Sequence, residues 1–193
     1  MHFHTEPVVR RPPTGPILMP ITSELAAAYW AADYLVFTDD GVIKLRAGET
    51  SAALAALHRR YGVSSSAFVT AYNPQSIRRE AAGNQAQQAR LEADVAPRWR
   101  YLRGVGVDPR DVWSGEESLL ILGITREEAI ALGCKYRQNA ILFADEQGNI
   151  DLCACLREEQ AVLDQGRRGV PAPSAPAERP SPSADSSIGA PHD

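Results

Sequence analysis

The sequence predicts a single α+β domain in which helices pack on a mixed or mostly antiparallel sheet, and three observations predict it. Short β-prone runs recur around residues 34–37, 42–46, 66–72, 118–124, 139–144 and 150–155, each bounded by turn-forming residues. Between them lie stretches whose apolar residues recur at three- and four-residue steps, the period of a helix buried on one face. The chain has 193 residues, 44% hydrophobic and 23% charged, enough for one domain with a substantial core. No second folded domain is expected.

The ends read differently from the body. Residues 1–20 contain Pro7, Pro12, Pro13, Pro16 and Pro20 without apolar periodicity, and the last part of the chain is rich in Pro, Ala and Ser. Such composition cannot bury enough apolar surface to offset the entropy of ordering. The expected organisation is a disordered tail over 1–20, the domain over 21–160 and a second disordered tail over 161–193.

The elements follow in order. Thr22 or Ser23 can cap a helix reaching Ala32, whose Leu25, Ala28, Tyr29 and Ala32 share a face. Two strands, Tyr34 to Phe37 and Val42 to Arg46, flank Asp40-Gly41, a strong hairpin signal. Thr50 can cap a second helix striped by Leu54, Leu57 and Tyr61, and Gly62 stands where a left-handed stop is expected. Ser66 to Tyr72 is a strand, and Asn73-Pro74 ends it. A long helix is then expected from about Ser76 to Val95, with Ile77, Ala81, Asn84, Gln88, Leu91 and Val95 on one face. Two amides therefore interrupt an apolar stripe. Left without partners in a core they would cost roughly 1–3 kcal/mol each, so they must bond to backbone, to polar side chains or to a wet cavity.

The strip Arg98-Trp99-Arg100-Tyr101-Leu102-Arg103 has two readings. It is an edge strand whose arginines deter edge pairing, with Trp99 and Tyr101 on the opposite face, or a single-stranded nucleic-acid surface in which those rings stack on bases. The edge strand is the favoured reading. Ser118 to Ile124 is apolar nearly throughout and fits a strand buried on both faces in the middle of the sheet. Thr125 with Glu128 forms a capping box for a helix to about Tyr136, and Asn139 to Ala144 with Ile150 to Cys155 form a closing hairpin.

Several small polar residues stand at these strand ends and on the long helix. The ordered set Phe68-Val69-Thr70-Ala71-Tyr72-Asn73-Pro74 with Ser76, then Asn84, then Glu117-Ser118 before an apolar strand, then Gln138-Asn139-Ala140-Ile141, resembles the bacterial family known as domain of unknown function 3293. The resemblance spans roughly residues 22–155. It implies a single-domain bacterial protein and supplies no activity, cofactor or catalytic assignment.

The candidate ligand-binding residues are Thr70, Asn73, Ser76, Asn84, Gln138 and Asn139, with Glu117 as the candidate acid/base and Ser118 beside it. Amides and hydroxyls offer donors and acceptors together, and a helix N-terminus beside Asn73 would favour an anionic or carbonyl group. The expected ligand is a small molecule with amide, carbonyl or phosphate character. Strand alternation that turns Glu117 inward turns Glu116 outward. The same residues also read as a purely structural network of caps and turns, and the protein as an interaction module.

Other chemistries are poorly served. The body has one histidine, His58, beside Arg59 and Arg60, which does not favour a Ser-His-Asp triad. His2 and His4 are two histidines on an expected disordered tail, and Cys134, Cys153 and Cys155 lack zinc-site spacing. No metal or cofactor is expected. Three cysteines do not form an even disulfide framework, no run approaches membrane-span length, and the N-terminus lacks a signal-peptide pattern. The expected compartment is a reducing cytoplasm, with no membrane partner. A net charge of -4 gives no global attraction to nucleic acid.

Overall fold

The computed structural model describes residues 20–109 and 115–168. The expected tails over 1–19 and from 169 onward, with His2 and His4, lie outside the described residues, as do Arg110 and Trp113.

The first helix, α1 (Ser23–Ala31), starts where Thr22 accepts a hydrogen bond from the Leu25 amide. The hairpin follows as β1 (Asp33–Thr38) and β2 (Gly41–Leu45). In α2 (Ala52–Tyr61) the cap is Ser51, not Thr50, and Gly62 closes the helix in the left-handed region. Thr50 instead bridges to Asn149. Then come β3 (Ser66–Thr70), α3 (Ala81–Val95), β4 (Arg100–Val107) and β5 (Glu116–Leu122). The expected capping box of Thr125 and Glu128 opens α4 (Arg126–Lys135), and β6 (Ala140–Ala144), β7 (Ile150–Ala154) and α5 (Gln160–Arg167) complete the order. Helix α5 continues beyond the boundary expected at residue 160. Its Leu163 is fully buried and its Leu163 carbonyl accepts the Trp30 indole N–H at 2.7 Å.

The seven strands form one sheet in the order β2-β1-β4-β5-β3-β6-β7, and every neighbouring pair is antiparallel. β5 is fourth of seven, the central position its apolar run calls for. Alternation divides its side chains between two cores. Leu120 and Leu122 join Phe68, Leu142 and Leu152 under α1, α2 and α5. Leu119 and Ile121 join Val69, Ile141 and Phe143 under α3 and α4. The molecule is α+β, with helices on both sheet faces.

Two expectations change. The Arg/aromatic strip is not at an edge, because β4 lies between β1 and β5. Two of the strip's three arginines, Arg98 and Arg103, are accommodated by pairing. Glu92 of α3 accepts both the Tyr101 hydroxyl at 2.5 Å and Arg103 Nη2 at 2.6 Å, so ring and guanidinium share a face. Arg103 thus pairs with α3. On the other face Gly104 admits Phe68 and the Leu35 carbonyl to positions only 2.6 and 2.5 Å from where a Cβ would stand.

The second change concerns the long helix, which begins at Ala81 and not near Ser76. Residues 71–80 form a strap instead, with a 3-10 turn over Pro74–Ser76. Asn73, Gln75 and Ser76 have φ of 43°, 58° and 56°, left-handed values that a right-handed helix cannot contain. Ile77 is off the helix and exposed, and the inward stripe starts at Asn84.

Candidate functional site

The antiparallel registers bring the end of β3 and the starts of β5 and β6 to one end of the sheet, with Thr70 opposite Ser118. The strap passes over this end. Beneath and beside it lies a cleft of about 1480 Å³. Phe68, Leu142 and Leu152 supply apolar floor, while Glu116, Tyr72, Ser76, Arg78 and Arg79 are among its polar lining.

The sequence-nominated residues divide into those that build the strap and those that face the cleft. Asn84 on α3 accepts from the Asn73 amide N–H and donates its Nδ2 to Asn73 Oδ1, both at 2.9 Å. One turn further along, Gln88 accepts from the Ala71 N–H at 3.0 Å. These two buried amides are therefore satisfied by the strap. Gln138 donates to the Tyr72 carbonyl at 3.0 Å, and Thr70 donates to the Glu117 carbonyl at 2.7 Å while accepting from the Tyr72 N–H. Ser118 donates to the Glu116 carbonyl. Thr70, Asn73, Ser76, Asn84, Ser118 and Gln138 all line the cleft.

Asn139 is placed differently. It lines a separate cavity of about 60 Å³, yet its Nδ2 donates to the Tyr29 hydroxyl at 3.0 Å and to Ser76 Oγ at 3.2 Å. Tyr29 and Ser76 are themselves hydrogen bonded at 2.7 Å. The three side chains tie the strap to α1 and to the start of β6.

The expected sides of the two glutamates are reversed. Glu116 is half-buried and lines the cleft, whereas Glu117 is exposed and outside it. The physical reason is strand parity: Ser118 is buried, so Glu116, two residues earlier, shares its face. Glu116 Oε1 accepts from Asn73 Nδ2 at 2.7 Å. Burial pushes the Glu116 carboxyl above its usual range, and the Asn73 bond offsets only part of that. Burial also raises the phenols of Tyr29, Tyr34 and Tyr72, each raised further by the nearby Glu116 charge. Tyr72 additionally meets the Glu117 carboxylate.

Residue-type reasoning missed Glu116, Tyr29, Tyr34, Arg78 and Arg79. The signal for Glu116 was present in the parity of β5. Arg78 and Arg79 were hidden by the expectation of helix over the strap. Both are exposed, and among the described residues neither guanidinium makes an ion pair or hydrogen bond.

Other features lie outside the cleft. His58 bonds to Ser66 at 2.8 Å, but both are fully buried. Arg98 pairs with Glu128 at 2.9 Å and its guanidinium lies 4.2 Å from the Trp99 ring centroid. Among the described residues no cluster of three or more His, Cys, Asp or Glu could hold a metal, and no helix is long and apolar enough to cross a membrane.

Residues 69–141 match the family described as "Protein of unknown function (DUF3293)". The chain resembles that family. The matched span runs from β3 through the strap, α3, β4, β5 and α4 into β6, and so contains Asn73, Asn84, Glu116, Arg78, Arg79, Gln138 and Asn139. It is narrower than the expected 22–155 and leaves out Tyr29 and Tyr34, the α1 and β1 side of the cleft. No curated protein and no solved structure matches the chain.

Proposed function

We propose that the cleft binds a small polar ligand with amide, carbonyl or phosphate character, in a bacterial cytosolic protein. The observation that carries this reading is Glu116: a half-buried carboxyl on the wall of a large cleft, with Asn73 as its one side-chain donor among the described residues. Structure that served folding alone would gain nothing from such a group, because an underbonded buried carboxyl costs stability. Positive φ at the non-glycine residues Asn73, Gln75 and Ser76 adds support, since backbone strain of roughly 1–3 kcal/mol per residue concentrates at functional segments.

Within this reading the polar set has two jobs. Asn84, Gln88, Gln138, Asn139 and Thr70 hold the strap, while Glu116, Tyr72, Ser76, Arg78 and Arg79 meet the ligand. In an enzyme, proton transfer falls to Glu116, whose raised pKa suits a general acid, and Glu117 keeps a backbone role towards Thr70.

The test is thermal unfolding of the full chain against nucleotides, amino acids, sugar phosphates and neutral amides. A ligand at a hundred times its Kd adds roughly 2.7 kcal/mol to stability. Stabilisation that disappears in Glu116→Gln supports the reading, and no shift with any class removes it. A second reading, a structural network in an interaction module, is favoured by the reciprocal Asn73 and Asn84 bonds. It predicts no ligand shift.

A further inference from the structure

The cleft holds opposite charges that the protein does not pair with each other. At one pole Glu116 has no cationic partner among the described residues, and Tyr29, Tyr34 and Tyr72 line the same cleft close enough to feel its charge. At the other pole Arg78 and Arg79 leave the strap with no ion pair to either guanidinium among the described residues. Asn73 links the Glu116 wall to the strap, donating to Glu116 through Nδ2 and accepting the Arg79 backbone N–H through Oδ1 at 3.0 Å. A half-buried carboxyl left without a cation costs stability, so its pairing falls to something that enters the cleft.

We infer that the ligand is a zwitterion of amino-acid or short-peptide size, its ammonium at Glu116 among the tyrosines and its carboxylate at Arg78 and Arg79. This rests on the ligand-site reading above and names its chemical class. An ammonium is favoured over a hydroxyl at the first pole because it both compensates the buried carboxyl and is attracted to aromatic faces. A carboxylate at the second pole meets guanidinium forks that match its two oxygens. The body of the ligand crosses Phe68, Leu142 and Leu152, which favours an apolar side chain.

The experiment titrates the full chain calorimetrically with the twenty standard amino acids and with dipeptides of the apolar ones. Each binder is then compared with its N-acetyl form, which lacks the ammonium, and its C-terminal amide, which lacks the carboxylate. The expected result is at least a tenfold loss for each trimmed form. Glu116→Gln is expected to erase the preference for free ammonium over N-acetyl. Arg78→Ala/Arg79→Ala is expected to erase the preference for carboxylate over amide. Loss of fold would lower all three affinities together, so the selectivity ratios separate a contact from a structural effect. Equal binding of the N-acetyl form, or selectivity unchanged in the variants, overturns the inference. If sugar phosphates or neutral amides bind and zwitterions do not, the class is wrong and the cleft reading stands. If no compound binds, both fall.

Discussion

Asn73 and Asn84 clasp one another, the backbone N–H of Asn73 donating to Asn84 Oδ1 while Asn84 Nδ2 donates back to Asn73 Oδ1. The Asn73 amide left over reaches Glu116. One strand-end residue in a left-handed conformation is thus fixed from a helix on one side and a strand on the other. The Asn84→Ala variant leaves the Asn73 backbone N–H unmet at the root of the strap and Asn73 Oδ1 with the Arg79 N–H alone. The expected cost is about 1–3 kcal/mol, seen in urea unfolding as a lower midpoint with unchanged slope.

Glu116→Gln is expected to stabilise the protein above the acid range. The folded carboxyl is raised by burial, so the unfolded chain ionises it more readily. Stability from this group is full below the ordinary carboxylate pKa of ~4.3 and lost as pH rises through the folded pKa. Glutamine keeps an oxygen for Asn73 and removes that loss. Midpoints of parent and variant measured from pH 4 to 8 should diverge in the variant's favour as pH rises; parallel curves would show that Glu116 is not buried as described.

His58 gives the opposite sign. Its imidazole is held below the ordinary value by burial, opposed by the backbone of Asp145 and Glu146. The neutral form is the folded one, so stability falls as pH drops from about 6.5 towards the folded pKa. The slope between pH 6.5 and 5 should be shallower in His58→Gln, whatever that variant's absolute stability. An unchanged slope would assign the acid sensitivity elsewhere.

Gly166→Ala opposes two effects of known size. A helix-interior alanine gains up to ~1 kcal/mol over glycine. Yet an added Cβ would stand 2.7 Å from the Ala26 carbonyl carbon and 2.8 Å from the Ala27 nitrogen, both backbone of α1. Overpacking of this kind costs about 1–3 kcal/mol, so net destabilisation is expected in chemical unfolding. A stabilised variant would mean that α5 is not seated on α1.

Leu163→Ala tests the same contact from the core side. The side chain is fully buried, and its truncation is expected to cost about 2–5 kcal/mol. At roughly 2–4 °C per kcal/mol for a domain of this size, the midpoint should fall by several degrees. A shift under one degree would return the domain boundary to residue 160.

The sequence by itself determined the elements that local chemistry controls. Asp40-Gly41 set the first hairpin, Gly62 ended α2, and Thr125 with Glu128 opened α4. The unbroken apolar run after Ser118 marked β5 as a central strand buried on both faces. Six of the nominated polar residues, Thr70, Asn73, Ser76, Asn84, Ser118 and Gln138, line one cleft because strand ends in an antiparallel sheet meet at its rim. Even the choice between Glu116 and Glu117 was available: Ser118 fixes the parity, and period-two alternation puts Glu116 on its side.

What only the tertiary structure decided are the features held by distant partners. Residues 76–80 have helix-compatible composition, but the Gln75 N–H is taken by the Arg137 carbonyl and the Arg79 N–H by Asn73, so the chain becomes a strap. Arg98 to Arg103 looks like an edge, yet Glu128 and Glu92 pair Arg98 and Arg103 and β4 sits inside the sheet between β1 and β5. The Pro- and Ser-rich composition beyond residue 166 obscures a helix whose stability comes from Trp30 and Ala26 of α1. Local patterns act over a few residues, where sequence and geometry share one short stretch of chain. Hydrogen bonds between residues 62 and 133 positions apart, Arg137 to Gln75 and Trp30 to Leu163, exist only once the sheet has brought those stretches together.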